Sequence, residues 1–157
     1  MTPPISPPSL SFFARATVTV AEPIDIGLTH QGERRVVPII GGFVEAEGWS
    51  GTVLAFGADF QRYPSPEIAL LEARYVIETD DGSHIFVENS AVRSGSAADL
   101  RSLMSGEPVD PARIYFRCVP RLHTAVTSPH AWINGAVFVG TGRRNADTVV
   151  IDIFALN

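Results

Sequence analysis

Asp59 and Gln61 stand two residues apart at the end of the apolar run TVLAFGADFQ, Thr52 to Gln61. Residues two apart on a strand share a face. Both side chains are therefore expected to project into one cavity, where Asp59 would act as a general base or orient a ligand. The competing reading is a turn-capping Asp beside a solvated Gln. Tyr75 and Asn89 form a second set. They fall on the apolar face of a predicted hairpin, where a polar group needs a partner, either a structural network or a ligand. Arg117 shares a face with Tyr115 in YFRCVP, and a guanidinium there could bind a carboxylate, an enolate or a developing oxyanion. A plain salt bridge, such as one to Asp59, would use it equally well. Trp132 and Asn134 could supply an aromatic wall and an amide donor at a cavity mouth. Trp132 could also simply plug a barrel end.

The elements that must position these residues are strands. Phe13 to Ala21, Ile24 to His30 and Arg34 to Ile40 are rich in β-branched residues and bounded by turn formers. Gly41-Gly42 predicts a bulge or sharp bend before the strand resumes over Phe43 to Ala46. In LEARYVIETDDGSHIFVENSA, two alternating runs flank Asp80-Asp81-Gly82. A type I turn closed by Gly82 in the left-handed conformation pairs Thr79 with Ser83. It places Tyr75 opposite Val87, Ile77 opposite Ile85 and Ala73 opposite Asn89. Arg74 then meets Glu88, and Glu78 meets His84, on the other face. A two-residue loop over Asp81-Gly82 would instead mix apolar and charged side chains on both faces. The apolar face continues from Asn89 to Arg93.

Ser96 to Met104 predicts the one helix, with Ser96 as N-cap and Asp99 at the capping-box position. Further strands are expected over Ile114 to Val119, Leu122 to Thr127, Ala136 to Thr141 and Thr148 to Ala155, with His130 to Asn134 in a connection. The sum is an all-β protein, an antiparallel β-barrel of roughly nine or ten strands with one short helix. No βαβ alternation is present. Residues 1–10, with four prolines in the first eight, read as a flexible tail, and 11–157 as a single barrel domain.

A chain of 157 residues with 45% hydrophobic and 18% charged residues can bury an adequate core. Its net charge of −5 and scattered basic residues argue against a nucleic-acid partner. Cys118 is the single cysteine, so no internal disulfide can form, and a small core residue is the expected role. The opening MTPPISPPSL lacks the features of a secretory signal, and no apolar span reaches about 18 residues. A cytoplasmic protein without membrane association is expected. No GxSxG, GxxxxGK[ST], HExxH or GxGxxG occurs, and the four histidines lack metal spacing, so no metal or cofactor is expected.

The segments GGFVEAEGWSGTVLAFGADFQ (Gly41 to Gln61), EARYVIETDDGSHIFVENSAVR (Glu72 to Arg93), YFRCVP (Tyr115 to Pro120) and WINGAVFVGTGRR (Trp132 to Arg144) resemble, in order, the motifs of domain of unknown function 3237, also called uncharacterised protein family 0311. The resemblance spans nearly the whole chain after the tail. It implies a small antiparallel barrel with a central cavity. This chain has Phe60 where the family often has Trp, and Glu72 where it commonly has Asp. It reads Leu122-His123-Thr124 where the family often reads Phe-Glu-Thr. If that glutamate acts in the family's site, His123 changes the chemistry or the ligand.

These observations lead to two main expectations. One is a cofactor-independent isomerase, lyase or cyclase acting on a small aromatic or carbonyl-bearing molecule, with Asp59 as acid or base and Arg117 and Asn134 stabilising negative charge. Gln61, Tyr75, Asn89, Tyr115, His123 and Trp132 would complete the ligand site. The other is a non-catalytic binding or carrier barrel. An unpaired Asp59 of raised pKa beside a cavity favours the enzyme, and an Asp59 paired with Arg117 favours the binder. A filled barrel would point to a structural or interaction protein. Apolar residues on the barrel exterior make a homodimer or other homo-oligomer plausible.

Overall fold

A computed structural model of the chain describes residues 1–157. Ten strands follow one another: β1 (Leu10–Val20), β2 (Ile24–Thr29), β3 (Gly32–Ala46), β4 (Trp49–Val53), β5 (Gly57–Ser65), β6 (Ile68–Thr79), β7 (His84–Ser94), β8 (Tyr115–Thr124), β9 (Phe138–Arg144) and β10 (Thr148–Leu156). One helix, α1 (Ala97–Met104), and a 3-10 turn over Pro111–Arg113 lie between β7 and β8, and a second 3-10 turn, Ala131–Gly135, precedes β9. No helix is long and apolar enough to cross a membrane.

All pairings are antiparallel, and β1 closes the sheet by pairing with both β10 and β3. Strands β4 and β5 lie end to end between β3 and β6 and act as one interrupted stave, so the closed barrel has eight staves. Strand β2 pairs only with β3 and extends past the barrel. Closure leaves few free edges to pair with other chains.

Each stave alternates as a half-buried strand must. Ala14, Ala16, Val18 and Val20 of β1 face inward, as do Val37 and Ile39 of β3, Tyr75 and Ile77 of β6, Ile85 and Val87 of β7, and Ile151 and Ile153 of β10. Each large aliphatic side chain buried this way contributes about 1.5–3 kcal/mol.

The hairpin β6–β7 has the register expected of a three-residue loop. Tyr75 pairs with Val87, Ile77 with Ile85 and Ala73 with Asn89. The Gly82 N–H donates to Thr79 O at 2.9 Å, and Gly82 has φ 86°. On the outer face His84 lies 2.9 Å from Glu78, and Arg74 lies 3.8 Å from Glu88. Ser96 caps α1 by accepting from the Asp99 N–H at 3.0 Å. The Asp99 carboxylate completes no capping box; it receives a forked pair of bonds from Arg113 at 2.8 and 3.1 Å.

Three differences from the sequence reading have local causes. Arg34 to Ile40 and Phe43 to Ala46 form one strand, β3, because Gly41 and Gly42 absorb the bend without breaking it; the β1 pairing slips by one residue there. The strands expected on either side of Pro120 are one strand, β8. Strand β9 pairs with β8 only at Arg117 and Cys118, so the ladder on that side has ended before the proline. At the N-terminus, residues 1–8 carry no secondary structure, but Ser9 exchanges backbone hydrogen bonds with Asn157 and β1 begins at Leu10, earlier than the tail of 1–10 allowed.

Candidate functional site

The two ends of the barrel are filled differently. One end is closed by aromatic rings from four elements. The Phe13 ring sits 5.0 Å from Phe138, 5.4 Å from Trp132 and 5.6 Å from Trp49. Ile133, from the 3-10 turn, is buried beneath them. Towards the other end, under α1, the interior holds a cavity of about 50 Å³. A single water needs about 10–15 Å³ by this measure, so the cavity has room for several waters or a small organic group.

Most of the cavity wall is apolar, including Val18, Val20, Ile39 and Leu71. Into it project Asp59, Gln61, Tyr75, Asn89, Arg93 and Arg144. Asp59, Gln61 and Tyr63 alternate inward along β5, while Phe60 points out and is 44% exposed. Gly57 allows this stave to start close to β6. A Cβ at that position would lie 2.5 Å from the Arg74 carbonyl oxygen, so the backbone approach requires glycine.

A chain of hydrogen bonds crosses the cavity mouth. Arg93 Nη2 donates to the Tyr63 hydroxyl at 3.0 Å, that hydroxyl donates to Gln61 Oε1 at 3.2 Å, and Gln61 Nε2 donates to Asp59 Oδ2 at 2.8 Å. The chain stops at the cavity. Asp59 Oδ1, the Tyr75 hydroxyl, Asn89 Oδ1 and Arg93 Nε are all buried without a protein partner. Buried polar groups are normally satisfied, and leaving one unsatisfied costs about 1–3 kcal/mol. Four such atoms around one cavity place unspent hydrogen-bonding capacity where a ligand would sit.

Electrostatics follow from the burial. Removal from water raises the Asp59 pKa above the ordinary carboxylate range, against the lowering effects of the Gln61 bond and of the Arg93 and Arg144 charges. Burial also raises the Tyr75 pKa, so its hydroxyl keeps its proton. Cys118 faces inward on β8, and burial pushes its thiol up to about 11. It is an inert core residue at neutral pH.

Five of the residues singled out from the sequence lie elsewhere. Inward positions on β8 belong to Phe116, Cys118, Pro120 and Leu122, so Tyr115, Arg117 and His123 point outward and are exposed. Arg117 stacks on Tyr115, its guanidinium carbon 5.0 Å from the ring centre, and cannot reach the cavity or pair with Asp59. His123 lies 3.9 Å from Glu88 on the outer surface, so its replacement of a family glutamate leaves the cavity untouched. Asn134 is exposed and ties a loop to β8, accepting from the Thr124 N–H at 2.8 Å and donating to its carbonyl at 3.0 Å. Trp132 belongs to the aromatic end, away from the cavity.

Four residues at the mouth were missed as site residues: Arg35, Tyr63, Arg93 and Arg144. Their signal was strand parity. Arg35 alternates with Val37 and Ile39, Tyr63 with Asp59 and Gln61, Arg93 with Val87 and Asn89, and Arg144 with Phe138 and Gly140.

The family model described as Protein of unknown function (DUF3237) matches residues 8–156. A UPF0311 protein of Rhodopseudomonas palustris is 47% identical over 137 residues, which cover 87% of this chain and 89% of that protein. A UPF0311 protein of Clostridium acetobutylicum is 34% identical over 142 residues, 90% of this chain and 89% of that protein. The crystal structure of a conserved protein of unknown function from Rhodopseudomonas palustris superposes with a TM-score of 0.89 at 43% identity, covering 100% of both chains. At 17% identity and a TM-score of 0.72, again over 100% of both chains, the fold is also that of an enzyme from Penicillium herquei.

Proposed function

The chain belongs to the DUF3237 family, and from that premise and the cavity geometry we propose that it is a cofactor-independent acid/base enzyme acting on a small aromatic or carbonyl-bearing molecule. The observation that carries this reading is Asp59: a carboxylate of raised pKa, unpaired with any arginine, with Oδ1 free at the edge of a cavity. A carboxyl pKa moved towards neutrality suits proton transfer, since the same group can take and return a proton.

Asp59 removes a proton from the carbon next to the substrate carbonyl. Negative charge develops on the carbonyl oxygen, and the Tyr75 hydroxyl, fully protonated and without a protein partner, donates to it. Return of the proton to a different carbon completes an isomerisation, and loss of a group on the adjacent carbon completes an elimination. Asn89 fixes the orientation of the reacting end. Tyr75 and Asn89 thus take the place that Arg117 and Asn134 were expected to fill.

The test is proton exchange. Purified protein in deuterated buffer is incubated with a panel of small aromatic ketones, and deuterium uptake beside the carbonyl is followed by NMR. Wild type accelerates uptake for at least one member of the panel, with a rate that rises with pH through a pKa above the usual carboxylate value. Asp59→Asn loses at least a hundredfold of that rate while remaining folded. A folded Asp59→Asn protein with full exchange activity overturns the assignment. Ligand binding by wild type and variant alike, with no exchange by either, assigns the cavity to a carrier instead.

A further inference from the structure

The floor of the cavity carries the acid/base groups, and its mouth carries an excess of positive charge. Arg35 of β3 and Arg93 of β7 point into the barrel and are 6% and 4% exposed; the Nε atom of each is buried without a hydrogen-bond partner, that of Arg35 lying 3.7 Å from Asp25. Arg93 and the β9 residue Arg144 line the cavity; Arg35 lies beside it, in a neighbouring pocket with Tyr63 and Asp25. Burial, and after it the charges of Arg93 and Arg35, lower the Arg144 pKa.

Little within the chain balances them. Arg93 spends Nη2 on the neutral Tyr63 hydroxyl and lies over the Phe116 ring at 5.7 Å. Arg144 donates to the Ala146 carbonyl at 3.3 Å. Neither arginine forms an ion pair with any carboxylate. Arg35 donates to the Met104 carbonyl at 3.2 Å; its one carboxylate neighbour, Asp25, is 3.7 Å away with a side chain 79% exposed to water. Asp59 is the one carboxylate in the cavity, and its bond goes to Gln61. A buried charge without a counter-charge costs several kcal/mol, so the arrangement is complete only with an anion at the mouth.

We propose that the ligand is a small organic carboxylic acid whose carboxylate is anchored by Arg93 and Arg144, with Arg35 adding to the field. A guanidinium offers two parallel donors that match a carboxylate. The apolar wall formed by Val18, Val20, Ile39 and Leu71 suits a carbon body, which an inorganic oxyanion lacks. The proposal rests on the reading of this cavity as a substrate site and adds the substrate class. The carboxylate sits at the mouth, and the reacting end reaches Asp59 and Tyr75.

The test is a calorimetric titration of the full chain with benzoate, benzamide and inorganic phosphate. The first two have nearly the same shape, and only benzoate is charged. Benzoate is expected to bind at least tenfold more tightly than either of the others. Arg93→Gln lowers benzoate affinity at least tenfold and leaves benzamide unchanged. Arg144→Gln, at a half-buried position, lowers benzoate affinity several-fold and serves where Arg93→Gln fails to fold. Arginine-dependent benzoate binding therefore supports the anion site even where the exchange assay has ruled out acid/base chemistry. Equal binding of benzoate and benzamide, benzoate binding indifferent to both arginine substitutions, or phosphate binding as tight as benzoate overturns the proposal.

Discussion

At the aromatic end of the barrel, Phe13, Trp49, Trp132 and Phe138 meet one another at centroid distances of 5.0–5.9 Å, while at the cavity end Asp59, Tyr75, Asn89 and Arg93 each keep a buried polar atom without a partner. The same eight staves supply both ends. The difference lies in what each set of side chains asks of its surroundings. Rings and aliphatic groups are satisfied by contact with each other, so the first end is complete within the chain. Carboxylate, guanidinium and phenol groups need directional partners, and the mouth leaves several of theirs to come from outside. One end of the barrel thus contributes stability, and the other carries buried polar groups that detract from it.

Substitutions at the two ends should therefore move stability in opposite directions. The largest effect is expected from Phe138→Ala. Phe138 is 1% exposed and touches both Phe13 and Trp132, so its loss leaves a cavity and costs about 3–5 kcal/mol, read as a lower urea midpoint. Tyr75→Phe should do the reverse. It removes a hydroxyl that is buried without a partner and keeps the ring, so the ligand-free protein gains about 1 kcal/mol while exchange activity falls. A loss of stability in Tyr75→Phe would mean that the hydroxyl is satisfied and the cavity end is as complete as the aromatic end.

Asp59→Asn sharpens the comparison through pH. The folded-state pKa of Asp59 is raised, so the folded protein holds this proton more tightly than the unfolded chain. Below the unfolded value, near 3.8, both states are protonated and the full contribution to stability is present. As pH rises past that value the unfolded chain loses its proton first, and the contribution declines until the folded pKa is passed. Asparagine has no proton to lose. The variant's gain in melting temperature over wild type should therefore be small near pH 3.5 and grow towards neutral pH. A difference that does not vary with pH would show that Asp59 is not desolvated.

Most of this contrast was legible in the sequence wherever one strand face was apolar. The alternation in Leu71 to Ala91 gave the hairpin register, and with it the inward positions of Tyr75 and Asn89. GADFQ gave Asp59 and Gln61, with Phe60 on the opposite side. The arginines of the mouth sat on those same faces, Arg93 at the end of the hairpin's apolar face, but a strand pattern does not tell which end of a stave lies under a helix. That burial comes from α1 and the chain leading back to β8, which is tertiary information. The aromatic end was equally hidden, since Phe13, Trp49 and Trp132 are far apart in sequence and meet only on closure. Local pattern fixes which way a side chain points, and topology fixes what it meets.

Strand β8 gives the smallest expected effect and the sharpest check on that reasoning. Its residues Phe116, Cys118, Pro120 and Leu122 form an apolar parity, and Tyr115, Arg117, Arg121 and His123 the opposite one. A cavity-facing Arg117 would go against that alternation. In the structure Arg117 donates to the Phe116 carbonyl at 3.0 Å and stacks on Tyr115, both at the surface, where such contacts contribute little. Arg117→Ala should change stability by less than about 0.5 kcal/mol and leave benzoate affinity as it is in wild type. The comparison with Arg93→Gln is direct, because the two arginines lie on neighbouring strands, with Arg93 paired to Phe116 and Arg117 to Val92. They differ in the face they occupy. If Arg117→Ala weakened benzoate binding as much as Arg93→Gln, the inward and outward faces of β8 would have to be exchanged, and the anion site with them.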